Sequence, residues 1–455
     1  MTTVSPTRDV RVALVHLGCA RNLIDSETIL GRLGAEGYAL VGDVDEADVA
    51  VLNTCSFLGE ARDESEGALA ELLERKRAGR LRAVVVAGCL PQKFLPEVSA
   101  RFPEVDAFLG LSDYSGIARV VEDVLKGRKV VEVAPEGVAR PRGEFHRLLQ
   151  TPRSHAYLRP SHGCDHRCAF CIIPSIRGRQ RSKPVAEVVA ETEALVAQGV
   201  AEVVLVAEDT TGYGTDLGPG GPRLPDLVAA LAQVPELRRL RVMYAYPNAF
   251  PWQLCEVMRE HGDVVAPYLD VPIQHVATPV LKAMRRGGTR ESVVRLLERL
   301  REEVPGITLR TTVLVGHPGE GEAEFEELLA FLGEFRFPRL GAFAFSPEPG
   351  APAAAMAGRC SDEEARERLH RVMVQQADVH ASFQQGLVGT TDRVLVDGHD
   401  GARAVGRGVH DAPEVDGVVR IEDPERRFVP GALVDVRYVA ADGYDLVAEP
   451  LDAPA

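Results

Sequence analysis

Six of the eight cysteines fall into two sets whose spacing could support metal chemistry. Cys164, Cys168 and Cys171 form C-x-x-x-C-x-x-C in Gly163-Cys164-Asp165-His166-Arg167-Cys168-Ala169-Phe170-Cys171. One short loop of this kind can wrap three corners of a 4Fe–4S cube and leave the fourth iron to an outside ligand. The other set is dispersed. Cys19, Cys55 and Cys89 are spaced by 36 and 34 residues, about one strand–helix unit each, and each follows a short apolar run. In an open α/β sheet the carboxyl ends of the strands share one edge, where ligands bind. Three thiols on that edge could meet around a second cube with one open iron.

Each set has a plainer reading. A free cysteine is often a small buried hydrophobe, but three at matching strand ends favour a shared ligand. Zinc is a further alternative for the dispersed set, although no nearby histidine offers a fourth ligand. For the tight loop a zinc knuckle is the competing reading, and His166 reads as a polar loop residue. The amino and carboxylate groups of S-adenosylmethionine (SAM) can chelate an open iron, and an electron can then split a C–S bond. Cys255 and Cys360 are remote from both sets and read as structural.

The elements that must position these residues are legible from the pattern. Val10–Leu17, Asp48–Leu52 and Ala83–Ala87 are short, valine-rich and each followed by a helix-like stretch, the mark of a parallel sheet buried on both faces. Residues 126–150, with Pro135, Pro141 and much charge, read as a linker. Strands are then expected at His155–Arg159, Glu202–Ala207, Leu240–Tyr246, Pro267–Ile273, Ile307–Val315 and Leu340–Phe345, with helices such as Pro184–Gln198 and Glu291–Glu303 between them. Six such units predict a partial (β/α)6 barrel. A charged helical segment over 361–385 leads into a tail of short alternating strands with Gly and Asp turns, which predicts a small all-β barrel. The expected domains are therefore 9–125, 150–383 and 384–453, giving an α/β chain with an all-β C-terminal barrel.

Bulk properties narrow the function. The chain has 455 residues and a formal net charge of −15. A strongly acidic protein repels a phosphate backbone, so general nucleic-acid binding is disfavoured and a basic protein partner fits better. Met1–Asp9 is polar, without a secretory h-region, and no apolar run is long enough to span a bilayer. A cytoplasmic location without membrane partners is expected. From Gln384 to Ala455 there are fourteen Asp and Glu against seven Arg and no Lys. That tail could steer a basic protein, or it could only keep the enzyme soluble. Arg177, Arg179, Arg181 and Lys183 form a basic strip that could meet RNA, a substrate carboxylate or solvent.

Taken together, the loop resembles that of the radical-SAM enzymes, and the three upstream cysteines resemble the methylthiotransferases among them. The acidic terminal barrel resembles their TRAM domain. Within that family, Cys164-Asp165-His166-Arg167-Cys168-Ala169-Phe170-Cys171-Ile172-Ile173-Pro174, Gly88-Cys89-Leu90-Pro91-Gln92 and Phe345-Ser346-Pro347-Glu348 look like the RimO branch rather than the tRNA-modifying MiaB branch. Asp270-Val271-Pro272-Ile273-Gln274-His275 and Gly316-His317-Pro318-Gly319-Glu320 match the family at large. Ala207-Glu208-Asp209 departs from the Ser-Gln-Asp common in that branch.

The resemblance implies two 4Fe–4S clusters, one on Cys19, Cys55 and Cys89, the other on Cys164, Cys168 and Cys171 with SAM. It implies methylthio transfer to the β-carbon of an aspartate of small-subunit ribosomal protein S twelve, free or within the ribosome, with a protein reductant and no direct tRNA substrate. That C–H bond is neither acidic nor electrophilic, so radical abstraction replaces a general base. Glu208, Gln274 and Arg310 are candidate SAM contacts, with an arginine able to pair with the SAM carboxylate. A surface salt bridge is the competing reading of Arg310. The other functions to weigh are a MiaB-like tRNA adenosine methylthiotransferase and a cluster carrier without SAM chemistry.

Overall fold

The computed structural model describes residues 9–111, 114–134 and 144–451. Met1 to Arg8, Pro135 and Pro141 lie outside the described residues. The chain divides into two compact units, one comprising residues 1–150, 161–165 and 172–182, the other residues 151–160, 166–171 and 183–455.

The first unit is a six-stranded parallel sheet. Its elements are β1 (Arg11–His16), α1 (Ala20–Ala35), β2 (Ala39–Val41), β3 (Val49–Thr54), α2 (Gly59–Arg77), β4 (Ala83–Gly88), α3 (Cys89–Arg101), β5 (Ala107–Leu109), α4 (Ile117–Leu125) and β6 (Val130–Glu132). The strand order is β2-β1-β3-β4-β5-β6. β3 and β4 are buried at every position because helices cover both faces. Val49, Val51 and Val85 face one apolar cluster, while Ala50, Leu52, Val84 and Val86 face the other. This is why the sequence runs apolar without alternation.

Three of these strands escape sequence reading. β2, β5 and β6 hold three residues each, too few to show a period. β6 also corrects the linker expected over 126–150, since Val130–Glu132 forms the edge of the sheet. Further on, buried Arg147 pairs with Glu27 of α1, and the Gln150 N–H donates to the same carboxylate at 2.8 Å. The described part of that stretch is therefore docked on the first unit.

The chain then alternates between units. β7 (His155–Leu158) belongs to the second, while β8 (Ser161–His162), α5 (Ile173–Arg177) and β9 (Arg181–Ser182) belong to the first. The second unit continues with α6 (Val185–Ala197), β10 (Glu202–Leu205), α7 (Leu224–Ala232), β11 (Arg239–Val242), α8 (Gln253–Glu260), β12 (Val265–Asp270), α9 (Thr278–Ala283), α10 (Arg290–Glu303), β13 (Thr308–Val315), α11 (Glu322–Phe335), β14 (Arg339–Ala344) and α12 (Asp362–Leu387). Its parallel sheet has the order β14-β13-β12-β11-β10-β7, each strand beside its predecessor, which is the expected six-unit partial barrel. Cys255 is a core residue of α8.

The second unit ends in a closed barrel of β15 (Thr391–Asp400), β16 (Arg403–Arg407), β17 (Val419–Glu422), β18 (Leu433–Asp442) and β19 (Asp445–Pro450). Val394, Val396, Ile421, Val436 and Leu446 fill it, and closure removes the exposed edges that short strands would leave.

This barrel meets the starts of the parallel strands through buried charges. Arg241 Nε donates to Glu202 at 3.0 Å, and Arg407 pairs with Glu202 and, at 2.7 Å, with Asp397. Arg239 donates to the carbonyls of Arg393, Arg407 and Gly408. Tyr268 donates to Asp416 at 2.6 Å, and Arg339 pairs with Asp411. Burial works against a charged Glu202, but Arg407, Arg241 and Arg239 bring its carboxyl down to about 2.

Candidate functional site

The parallel register brings the first cysteine set together. His16 pairs with Asn53 and Asn53 with Ala87, so β1, β3 and β4 end level. Cys19, Cys55 and Cys89 follow these ends. The order β2-β1-β3 makes the β1/β3 boundary the point where successive strands depart in opposite directions, the usual binding crevice of such sheets.

Glycine makes the turns possible. Gly88 has φ +99°, and a Cβ there would fall within 2.7 Å of the Thr54 carbonyl oxygen. Gly18 has φ +105°, and a Cβ there would come within 2.9 Å of Cys55 Cβ. An L side chain at either position would be strained and would push the cysteine loops apart. The pairs Gly18-Cys19 and Gly88-Cys89 were a usable signal in the sequence.

Polar contacts lock the three loops. Asn22 Nδ2 donates to the carbonyls of Leu17 and Thr54, and Asn53 Nδ2 donates to the Asn22 carbonyl and to Ser26. Cys55 N–H donates to Ser65 Oγ, which donates back to the Cys55 carbonyl. Arg177, only 2% exposed along its side chain, donates to Asn22 Oδ1 at 2.5 Å and lies 3.6 Å from both Cys89 Sγ and Asp25 Oδ2. Burial raises the Cys19 thiol, but Arg21, Arg177 and the N–H groups of Asn22 and Arg21 outweigh it and hold Cys19 below its usual value. Burial pushes Cys55 up. Burial also pushes Cys89 up to about 12, opposed by Arg177.

The donor set suits a cluster. All three thiols are free of disulfides. Buried Ser56 Oγ, next to Cys55, has no hydrogen-bond partner among the described residues, and a cluster sulfide would accept from it. Among the described residues no three His, Cys, Asp or Glu side chains are grouped closely enough for one metal ion. A four-iron cube spans a wider set of ligands.

Of the second set, Cys164 lies in the first unit, and its N–H donates to the Gly178 carbonyl at 3.1 Å. Cys168 and Cys171 lie in the second. There Ala169 donates to the Met284 carbonyl and accepts from Ala353 N–H, both at 2.8 Å, which stitches the loop on both sides. Arg286 Nη1 lies 3.7 Å from Cys168 Sγ and donates to the Pro272 carbonyl at 2.5 Å. Its guanidinium covers the Tyr246 ring at 4.5 Å, and His166 stacks on Tyr246 at 3.6 Å. His166 Nε2 is 2.7 Å from Asp209 Oδ2. This Arg286–Tyr246–His166 stack, braced by Asp209, gives His166 a structural task that spacing did not reveal.

The basic strip resolves into separate partners. Arg177 is buried by the first cysteine set, Arg179 holds Asp165 at 3.0 Å, and buried Lys183 holds Glu191 at 2.7 Å. Glu208 follows β10. Gln274 follows β12 with φ +67° and forms a bridge with Val313. Arg310, early in β13, pairs with Asp270 at 3.0 Å and lies 3.9 Å from Asp416.

Residues 158–332 match the Radical SAM superfamily, 11–110 the uncharacterized protein family UPF0004, and 388–451 the TRAM domain. The chain is 45% identical to the ribosomal protein uS12 methylthiotransferase RimO of Anaeromyxobacter sp. (strain Fw109-5), over 98% of this chain and 96% of that protein. The chain belongs to the RimO family of radical-SAM methylthiotransferases. The RimO of Myxococcus xanthus (strain DK1622) is 41% identical over 97% of this chain and 92% of its own length. The RimO family makes this chain a transferase that uses SAM and two 4Fe–4S clusters. In fold the chain resembles the radical S-adenosylmethionine methyltransferase TsrM from Kitasatospora setae, solved with tryptophan substrate and a SAM analogue. That likeness has a TM-score of 0.53 at 15% identity and covers 86% of this chain and 79% of the other.

Proposed function

We propose that this enzyme adds a methylthio group to the β-carbon of an aspartate of ribosomal protein uS12. Cys164, Cys168 and Cys171 hold the SAM-binding cluster, and Cys19, Cys55 and Cys89 hold the sulfur-donor cluster. The observation that carries this reading is the level ending of β1, β3 and β4, which gathers three thiols in a chain that separately bears the radical-SAM loop. With both clusters bound, the protein gains a one-electron route to a 5′-deoxyadenosyl radical and a site for donor sulfur.

The side chains do the rest. Arg286 and the Tyr246–His166 stack fix the loop bearing Cys168, so an outside ligand meets the open corner in one orientation. Glu208 and Gln274 follow strand ends on the edge where ligands of βα enzymes bind, and in this reading they contact SAM. Arg310 is the third candidate contact, its guanidinium paired with Asp270. The acidic tail favours a basic protein substrate over tRNA. A protein reductant supplies electrons, and the setting is the cytoplasm. Among the described residues no helix is long and apolar enough to cross a membrane.

The test is to incubate anaerobically reconstituted enzyme, SAM and reductant with unmodified uS12 or with tRNA. Addition of one CH₂S mass increment to uS12 is expected. Modified tRNA with unchanged uS12 would reverse the assignment.

A further inference from the structure

We propose that Arg177 is a positioning and charge-compensating residue for the first cluster, raising its reduction potential and favouring an anionic ligand on its open iron. The inference rests on the reading of Cys19, Cys55 and Cys89 as cluster ligands.

The position is unusual for an arginine. Its side chain is 2% exposed, in a short helix, α5, that follows the radical-SAM loop in sequence. Three of its neighbours define its task. It donates to Asn22 Oδ1, the side chain that ties the Leu17 and Thr54 carbonyls and so holds the loops of Cys19 and Cys55. It points at Cys89 Sγ from 3.6 Å. It lies 3.6 Å from Asp25, which is 3% exposed. One guanidinium thus touches the asparagine that organises two cysteine loops and the thiol of the third.

The electrostatics follow. Three thiolates and a 4Fe–4S core carry net negative charge, which grows on reduction or when a sulfide binds the open iron. Buried anions need a buried counter-charge. Asp25 offsets part of the guanidinium charge but leaves Nη2 within 3.6 Å of the Cys89 sulfur. N–H···S bonds and a nearby cation stabilise the more negative state of a cluster, so the potential rises. One terminal nitrogen, Nη2, makes the contacts to both Asn22 and Cys89, so a lysine that keeps the charge can stand in for part of the role.

The experiment uses full-length protein with Cys164, Cys168 and Cys171 all replaced by alanine, so that only the first cluster contributes. Iron and sulfide content are measured after reconstitution, and EPR follows reduction at stepped potentials. Arg177→Gln should keep its iron but show a tenfold lower ratio of reduced to oxidised cluster at a fixed potential, equivalent to about 59 mV for one electron. A fall of less than threefold overturns the proposal. If Arg177→Gln takes up no iron, Arg177→Lys decides. Iron retained with a ratio within threefold of the parent supports charge compensation, and loss of iron there too overturns it. A parent that takes up no iron sinks the cluster reading itself, whereas a loaded parent with an unshifted variant sinks only the role of Arg177.

Discussion

The two cysteine sets solve one problem in opposite ways. The Cys164–Cys171 loop is local: its spacing alone brings three thiols within reach, and the fold has only to anchor it through Ala169, Met284 and Arg286. The Cys19, Cys55 and Cys89 set is wholly a product of topology. It exists only because three parallel strands end level and because Gly18 and Gly88 adopt backbone that other residues resist. A local site tolerates change in the sheet beneath it, whereas a topological site fails when any one turn shifts.

The sharpest way to break this contrast is to delete one thiol from each set. Cys168→Ala should reduce SAM cleavage to 5′-deoxyadenosine to background. Cys55→Ala should spare that cleavage and stop methylthio transfer. Product from Cys55→Ala, measured by mass spectrometry of uS12, would remove the donor role from the first set.

Next in size is a change in the buried ion pairs between the parallel strands and the terminal barrel. Glu202→Gln leaves buried Arg241 without a carboxylate and Arg407 with Asp397 alone, and it should destabilise the second unit by about 3–5 kcal/mol. The pH dependence has a definite sign. The Glu202 carboxyl falls from 4.5 to about 2 on folding, so its contribution is full above the unfolded value and fades as pH drops towards about 2. Denaturation at stepped pH should show the difference between parent and variant shrinking across that window. A constant difference would contradict the ion pair.

A smaller effect bears on the turns. Gly88→Ala should cost at least about 1–3 kcal/mol from its φ alone and should empty the first site while SAM cleavage survives. Iron content falling by half, with cleavage intact, is the expected result. Equal loss at both sites would make the two sets one mechanical unit. The mildest test is Asp209→Asn, which weakens the hold on His166 by roughly 1 kcal/mol. It should slow SAM cleavage a few-fold and leave the first site's EPR signal unchanged.

What could be read beforehand follows the same division. The meeting of Cys19, Cys55 and Cys89, the long buried strands and the terminal barrel were legible because each leaves a period or a spacing. β2, β5 and β6 were not, since three residues carry no period and tertiary pairing alone makes them strands. Arg177 was hidden in what read as a basic strip, because sequence shows charge but not which side of a helix is covered. The Arg286–Tyr246–His166–Asp209 assembly draws on four separate segments, so no local pattern could announce it. The arginines at the starts of the parallel strands carry no pattern that sets them apart, yet they are buried beneath the barrel.

That last feature limits how the chain can be shortened. Arg239, Arg241 and Arg339 have partners contributed by residues beyond Thr391, including Asp411 and the carbonyls of Arg393, Arg407, Gly408 and Val409. A truncation after Leu387 would remove these partners and uncover the strand starts that the barrel now closes. The terminal barrel is thus a foundation stone of the catalytic half, and a fragment built without it should be recovered as insoluble material.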